Sequence, residues 1–109
     1  MADQPIPPRE RVRSTVPKMI ELSEQVIYGD IWERPGLSKR DRSMVVVATL
    51  IATYRPEQLR GHLARALDNG VTKEEIGEII THLAFYAGWP ASMTAARIAT
   101  KVHEERGLA

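Results

Sequence analysis

The sequence predicts an all-α fold, on three observations. Apolar residues recur at helical spacing in several separate runs, those runs are bracketed by helix start and stop signals, and no stretch of alternating apolar and polar residues suggests a sheet. The most regular run is Ile76, Ile79, Ile80, Leu83, Ala84 and Ala87, opened by Thr72-Lys73-Glu74-Glu75. A Thr followed three residues later by Glu is a capping box, in which each side chain satisfies a free backbone N–H near the other.

The remaining elements follow in chain order. Four of the seven prolines fall in the first 17 residues. Proline blocks helix interiors, so residues 1–16 read as an extended arm and residues 17–109 as one helical domain. Pro17 suits a first helical position, and Met19, Ile20, Leu22, Val26 and Ile27 give an uneven apolar face that should end near Tyr28–Gly29. The connection Gly29–Gly36 is rich in turn formers yet holds Trp32, which is costly to leave in water. Ser38 starts a helix reaching about Tyr54, with Met44, Val45, Val46, Val47, Leu50 and Ile51 apolar on nearly every side. Such a helix is expected to be buried centrally or between subunits. Pro56 restarts the chain, Leu59, Leu63, Ala66 and Leu67 mark a third apolar face, and Asp68-Asn69-Gly70 stops it with glycine at the expected position. After Gly88-Trp89-Pro90, Ala91, Ala95, Ala96, Ala99 and Val102 mark the last of about five helices. So many apolar faces in a small chain point to a core shared in a homo-oligomer.

Composition removes several function classes. Of the 109 residues, 43% are apolar and 27% charged, an ordinary composition for a single soluble domain. Lys plus Arg (15) nearly balances Asp plus Glu (14), unlike the basic excess of a dedicated nucleic-acid binder. A helix-turn-helix outline over 56–87 would present Glu74, Glu75 and Glu78 to phosphate, the wrong charge. There is no cysteine, so disulfide and thiolate chemistry are excluded. The longest apolar stretch, residues 44–52, is far short of the ~20 residues a bilayer needs. With no signal peptide at the start, the expected location is the cytoplasm. No metal-ligand spacing and no phosphate-binding glycine loop is present, and no cofactor is expected.

Three groups could carry chemistry. His62, one position from Leu63 and three from Leu59, leans toward the apolar side of its helix, where an imidazole can serve as a proton donor; the plainer reading is a hydrogen-bonded structural histidine. Tyr28, Trp32, Phe85, Tyr86 and Trp89 are five of the six aromatic residues. They suit the wall of an apolar pocket, and equally a small core or a subunit contact. Arg42 and Arg60 stand out among the arginines because each is near the apolar part of its helix, where a guanidinium can hold a carboxylate. His82 could be buried beside Leu83, and His103 is expected in a solvated terminal turn.

Several blocks, in order and spacing, resemble the carboxymuconolactone decarboxylase family: Tyr28-Gly29-Asp30-Ile31-Trp32-x-Arg34-Pro35-Gly36-Leu37, Arg42-Ser43, Glu57-x-Leu59-Arg60-x-His62-Leu63-x-x-Ala66, Asn69-Gly70-Val71-Thr72-x-x-Glu75-Ile76, and Tyr86-x-Gly88-x-Pro90-Ala91. The resemblance covers roughly residues 20–105. It implies an all-helical fold and ring-shaped homo-oligomers, often hexamers built as trimers of dimers. One branch of the family reduces peroxides through a CxxC pair just before the histidine; with His62 aligned, Arg55 and Gln58 occupy those positions, so that chemistry is absent here. The Tyr-Gly-Asp-Ile-Trp block and Leu-Arg-x-His resemble the decarboxylase branch. That branch implies a cofactor-free decarboxylase, or a related lyase or isomerase, acting on a small carboxylated lactone such as 4-carboxymuconolactone in aromatic-acid breakdown. On this reading His62 donates a proton, Arg42 and Arg60 hold the carboxylate, and Trp32, Tyr86 and Trp89 wall the pocket. The rival is a non-catalytic oligomeric module of the same fold that binds small molecules.

Overall fold

A computed structural model describes residues 8–108, which form two compact units divided between Gly36 and Leu37. All described residues in regular structure are helical. Six α-helices are present among the described residues: α1 (Pro8–Arg11), α2 (Pro17–Leu22), α3 (Lys39–Ala52), α4 (Pro56–Asp68), α5 (Lys73–Tyr86) and α6 (Trp89–Glu105).

Within the first unit, the described part of the expected extended arm, residues 8–16, opens with a helical turn. Pro8 opens α1, where its fixed φ suits a first helical turn. Arg13 then bonds Glu10 and Glu24, tying the segment after α1 to the one after α2. Residues 1–7, which hold Pro5 and Pro7 of the expected arm, lie outside the described residues. α2 runs on into a π-helical turn, Ser23–Ile27, closed by Tyr28 N–H donating to the Ser23 carbonyl. Gly29 follows because nothing larger fits: a Cβ there would stand 2.6 Å from the Glu24 carbonyl oxygen and 2.7 Å from that of Gln25. A 3₁₀ turn, Ile31–Glu33, then buries Trp32, which stacks on Tyr28 with ring centroids 6.0 Å apart. Arg34 clasps Asp30 through two bonds of 2.9 and 3.1 Å.

The second unit packs α3 against α4, α5 against α6, and the two hairpins against each other through α4–α6 and α3–α5 contacts. Its core is Val47 and Ile51 from α3, Leu59, Leu63 and Ala66 from α4, Val71, Ile76 and Ile80 before and along α5, and Ala95, Ala99 and Val102 from α6. Burying each large aliphatic side chain is worth roughly 1.5–3 kcal/mol, so this stripe fixes which face of every helix turns inward.

The helix ends follow local chemistry. Ser38 Oγ accepts from Asp41 N–H at 3.0 Å, and Thr72 with Glu75 completes the capping box. α4 stops in a Schellman motif: Val71 N–H donates to Ala66 O, Gly70 N–H to Leu67 O, and Gly70 takes φ 96°. α6 stops the same way at Gly107, with Leu108 N–H donating to His103 O. Between α3 and α4 the chain turns on Tyr54, the one described non-glycine residue with positive φ.

Of the two placements expected for α3, central or between subunits, the protomer rules out full central burial: Ser43, Val47 and Ile51 face inward while Val45 is 57% exposed. Its valines supply one core stripe, and the remainder is surface of this protomer. Trp89 does not break the chain before the last helix; it is the first residue of α6, and the break falls at Gly88, φ 110°.

Candidate functional site

α4 places His62 next to the core but not inside it. Leu59, Leu63 and Ala66 are buried, and His62, between them in sequence but rotated off their stripe, is half-buried. Burial pushes its pKa below the usual imidazole value, and the charge of Arg65, one turn further along, adds to the shift. The result is an imidazole that is neutral near pH 7, partly shielded from water, and a stronger acid than free histidine once protonated.

Arg42 is the fourth residue of α3 and is also half-buried. Its neighbour Ser43 is buried and accepts from Asn69 Nδ2 at 3.0 Å, so the start of α3 is level with the end of α4. His62 is seven residues before Asn69, about 10 Å along the α4 axis. Arg42 and His62 thus sit on neighbouring helices at different heights.

Arg60 is not on the His62 side of α4. Residues two apart on a helix point in nearly opposite directions. Arg60 Nη2 reaches across to α6 and holds both carboxylate oxygens of Glu105 at 2.6 Å. That pairing keeps the Glu105 carboxyl below the usual range. Arg60 therefore clasps α4 to α6 in this protomer instead of joining His62, which corrects the expected grouping of the two.

The aromatic residues also divide. Trp32 belongs to the first unit and is buried there beside Tyr28. Tyr86 and Trp89 belong to the second unit, at the corner between α5 and α6, and are 79% and 61% exposed; Phe85 is exposed as well. Within the corner Phe85 meets Trp89 edge to face and His82 lies tilted over Tyr86 at 4.8 Å. Among these aromatics only Trp32 is enclosed; Tyr86 and Trp89 do not wall a closed pocket in the protomer. His82 is exposed, contrary to the expectation of burial beside Leu83.

His103 reverses its expectation too. It is 7% exposed, with Nε2 buried and lacking a hydrogen-bond partner among the described residues. Burial pushes its pKa down, the Lys73 ammonium adds to this, and Glu74 opposes it. The terminal turn is closed rather than solvated because Leu108 folds back, its N–H on His103 O and its carbonyl accepting from Lys73 Nζ at 2.9 Å. The Lys-Val-His-Glu-Glu-Arg segment looked solvated because four of its six residues are charged; the buried Val102 beside His103 was the available signal.

Among the described residues no group of three His, Cys, Asp or Glu side chains is arranged to hold a metal ion. No helix among them is long and apolar enough to cross a membrane.

The blocks around Trp32, His62 and Tyr86 all lie within residues 17–101, the span matched by the family model described as the carboxymuconolactone decarboxylase family. The chain belongs to that family. Among its relatives, 4-carboxymuconolactone decarboxylase of Acinetobacter baylyi is 45% identical over 82 residues, covering 75% of this chain and 61% of that protein. Nitrosuccinic acid decarboxylase of Metarhizium robertsii is 35% identical over 81 residues, 74% of this chain and 57% of its own. An uncharacterized 15.0 kDa protein of Paracoccus denitrificans is 31% identical over 99 residues, 88% of this chain and 71% of its own. The chain thus spans about three-fifths of the length of the two decarboxylases it matches. Both of these relatives are decarboxylases by name, and the family membership agrees with the all-helical fold.

Proposed function

We propose that the protein is a decarboxylase of small carboxylated molecules, with a carboxylated lactone such as 4-carboxymuconolactone as its substrate and His62 as its proton donor. The observation that carries the reading is His62 itself: a half-buried imidazole with lowered pKa, within the Leu-Arg-x-His block of a chain whose named relatives are decarboxylases.

The chemistry asks for little. In 4-carboxymuconolactone the carboxylate that leaves is on the ring carbon γ to the lactone carbonyl. As the C–C bond breaks, its electron pair moves through the ring double bond into the carbonyl, giving a dienolate and CO2. A proton delivered to the α carbon returns the electrons and yields the enol-lactone. The protein must hold the remaining carboxylate, stabilise the oxyanion and supply that proton. His62, once protonated, gives up its proton readily, because its surroundings disfavour the charged form. An anionic substrate beside it reverses that preference, so substrate binding and imidazole protonation reinforce each other. Arg42, half-buried on the neighbouring helix, is the carboxylate-holding group of this proposal. Arg60 is assigned to the α4–α6 clasp instead.

The working form is a homo-oligomer, a hexamer by the family's habit. The exposed Val45 of α3 and the exposed aromatic corner at Tyr86 and Trp89 support it, since large apolar groups gathered on a small protomer mark contact surfaces. Light scattering is expected to give a single species of several chains; a monodisperse monomer at micromolar concentration contradicts it. For activity, purified protein incubated with 4-carboxymuconolactone is expected to release CO2 with loss of the lactone acid. Binding without turnover would assign the chain to a non-catalytic role.

A further inference from the structure

We infer that the groove between α4 and α6 is a second binding site, separate from His62 and independent of the proposed reaction, for a small organic carboxylate with an apolar stem. The groove is open to solvent, has a volume of about 310 Å³ and is lined by Pro56, Glu57 and Arg60 from the start of α4 and by Arg97, Ile98 and Lys101 from the middle of α6. That volume is at the small end of ligand clefts, which run to roughly 300–1,000 Å³.

Charge decides the class of ligand. Three of the six lining residues are cations and one is an acid. Arg60 is already engaged by Glu105, one turn beyond Lys101 on the same face of α6. Arg97 forms no ion pair with any described residue, and Lys101 bears on Glu105 only through space. Arg97 and Lys101 are four residues apart, so their stems leave one face of α6 about 6 Å from each other. A guanidinium and an ammonium at that spacing, over a concave surface, can take the oxygens of one carboxylate, with the planar guanidinium setting its orientation. Pro56 and Ile98 offer apolar surface beside them, which a carbon stem covers and a bare inorganic oxyanion does not. The site cannot serve the proposed decarboxylation from where it lies, because it opens on the Arg60 side of α4 and His62 faces away.

The probe is butyrate, titrated into the isotopically labelled full chain as it assembles in solution, with backbone amide shifts as the readout. Sodium chloride at matched ionic strength and inorganic phosphate are parallel arms. Butyrate is expected to move the amides of residues 57–61 and 97–101 saturably, with chloride giving no saturable shift and phosphate binding more weakly. Changing Arg97→Gln together with Lys101→Gln is expected to weaken butyrate binding about tenfold or more, as the loss of charge-assisted contacts does. CO2 release from 4-carboxymuconolactone is expected to stay at the wild-type level in that double variant. Shifts confined to the His62 side of α4, equal shifts with chloride, phosphate binding as tight as butyrate, or butyrate affinity unchanged in the double variant would each overturn the assignment.

Discussion

His62 and His103 sit in two regions of the same helical unit, and their surroundings differ in a way that separates chemistry from packing. Both imidazoles have pKa values lowered mainly by burial, with a neighbouring cation adding to it: Arg65 for His62, Lys73 for His103. His62 is half-open to solvent in the middle of a long helix. His103 is closed under a folded-back chain end held by Leu108 and Lys73. A group that must meet a substrate needs the first environment; a group that fills space needs only the second. A depressed histidine pKa alone therefore does not pick out a functional residue, whereas depression together with access does.

That contrast can be broken or sharpened by substitution. The largest expected effect is on turnover: His62→Gln keeps a polar group of similar reach but removes the titrating acid, and kcat should fall about 10²–10⁴-fold. Melting temperature and oligomer mass should stay near wild type. His103→Gln is expected to do the reverse, lowering the melting temperature while leaving turnover per folded molecule unchanged. Next in size is Gly29→Ala in the first unit. Its new methyl would collide with two backbone carbonyls that no rotamer change can move, so a loss of about 1–3 kcal/mol is expected in urea unfolding, at a position remote in sequence from either histidine.

Acidification gives a graded test. A histidine whose folded pKa is below its unfolded value of 6.5 binds protons more readily in the unfolded chain. The neutral imidazoles thus contribute fully above pH 6.5, and stability is lost as pH falls from there toward the folded pKa values. Unfolding free energy measured across this window should slope downward on acidification. The slope should shrink in His62→Gln and in His103→Gln, and further in the double variant. The smallest effect expected is at the start of α5, where Thr72→Ala removes one half of the capping box at a cost of about 1 kcal/mol, with no change in kcat.

The parts of the fold that were legible from sequence are those that short-range chemistry decides. The Thr72–Glu75 box, the Ser38 cap and the Gly70 stop each depend on a few consecutive residues, and all stand where the sequence places them. The decarboxylase-family blocks were legible for the same reason, since each is a short run. Gly29 is a block residue whose reason emerges only from the π-helical turn it packs against. What could not be read depends on which residues meet across space. Arg60 looked like a partner of His62 because it is near the apolar part of its helix and shares the Leu-Arg-x-His block, but the helix turns them to opposite sides, and Glu105 lies forty-five residues away. The groove cations Arg97 and Lys101 went unnoticed because a polar face on an alanine-rich helix looks like ordinary solvent surface. Tyr86 and Trp89 suggested a pocket wall by composition, yet the Gly88 corner turns them outward.

The central claim, that His62 delivers the proton, is tested most directly by the pH dependence of kcat for CO2 release from 4-carboxymuconolactone in wild type and His62→Gln, measured where both remain folded. If the imidazolium is the donor, wild-type kcat falls as pH rises through the His62 pKa of the bound complex, and the residual rate of His62→Gln shows no such limb. A limb of the same midpoint and depth in His62→Gln would assign the proton to another group and contradict the account.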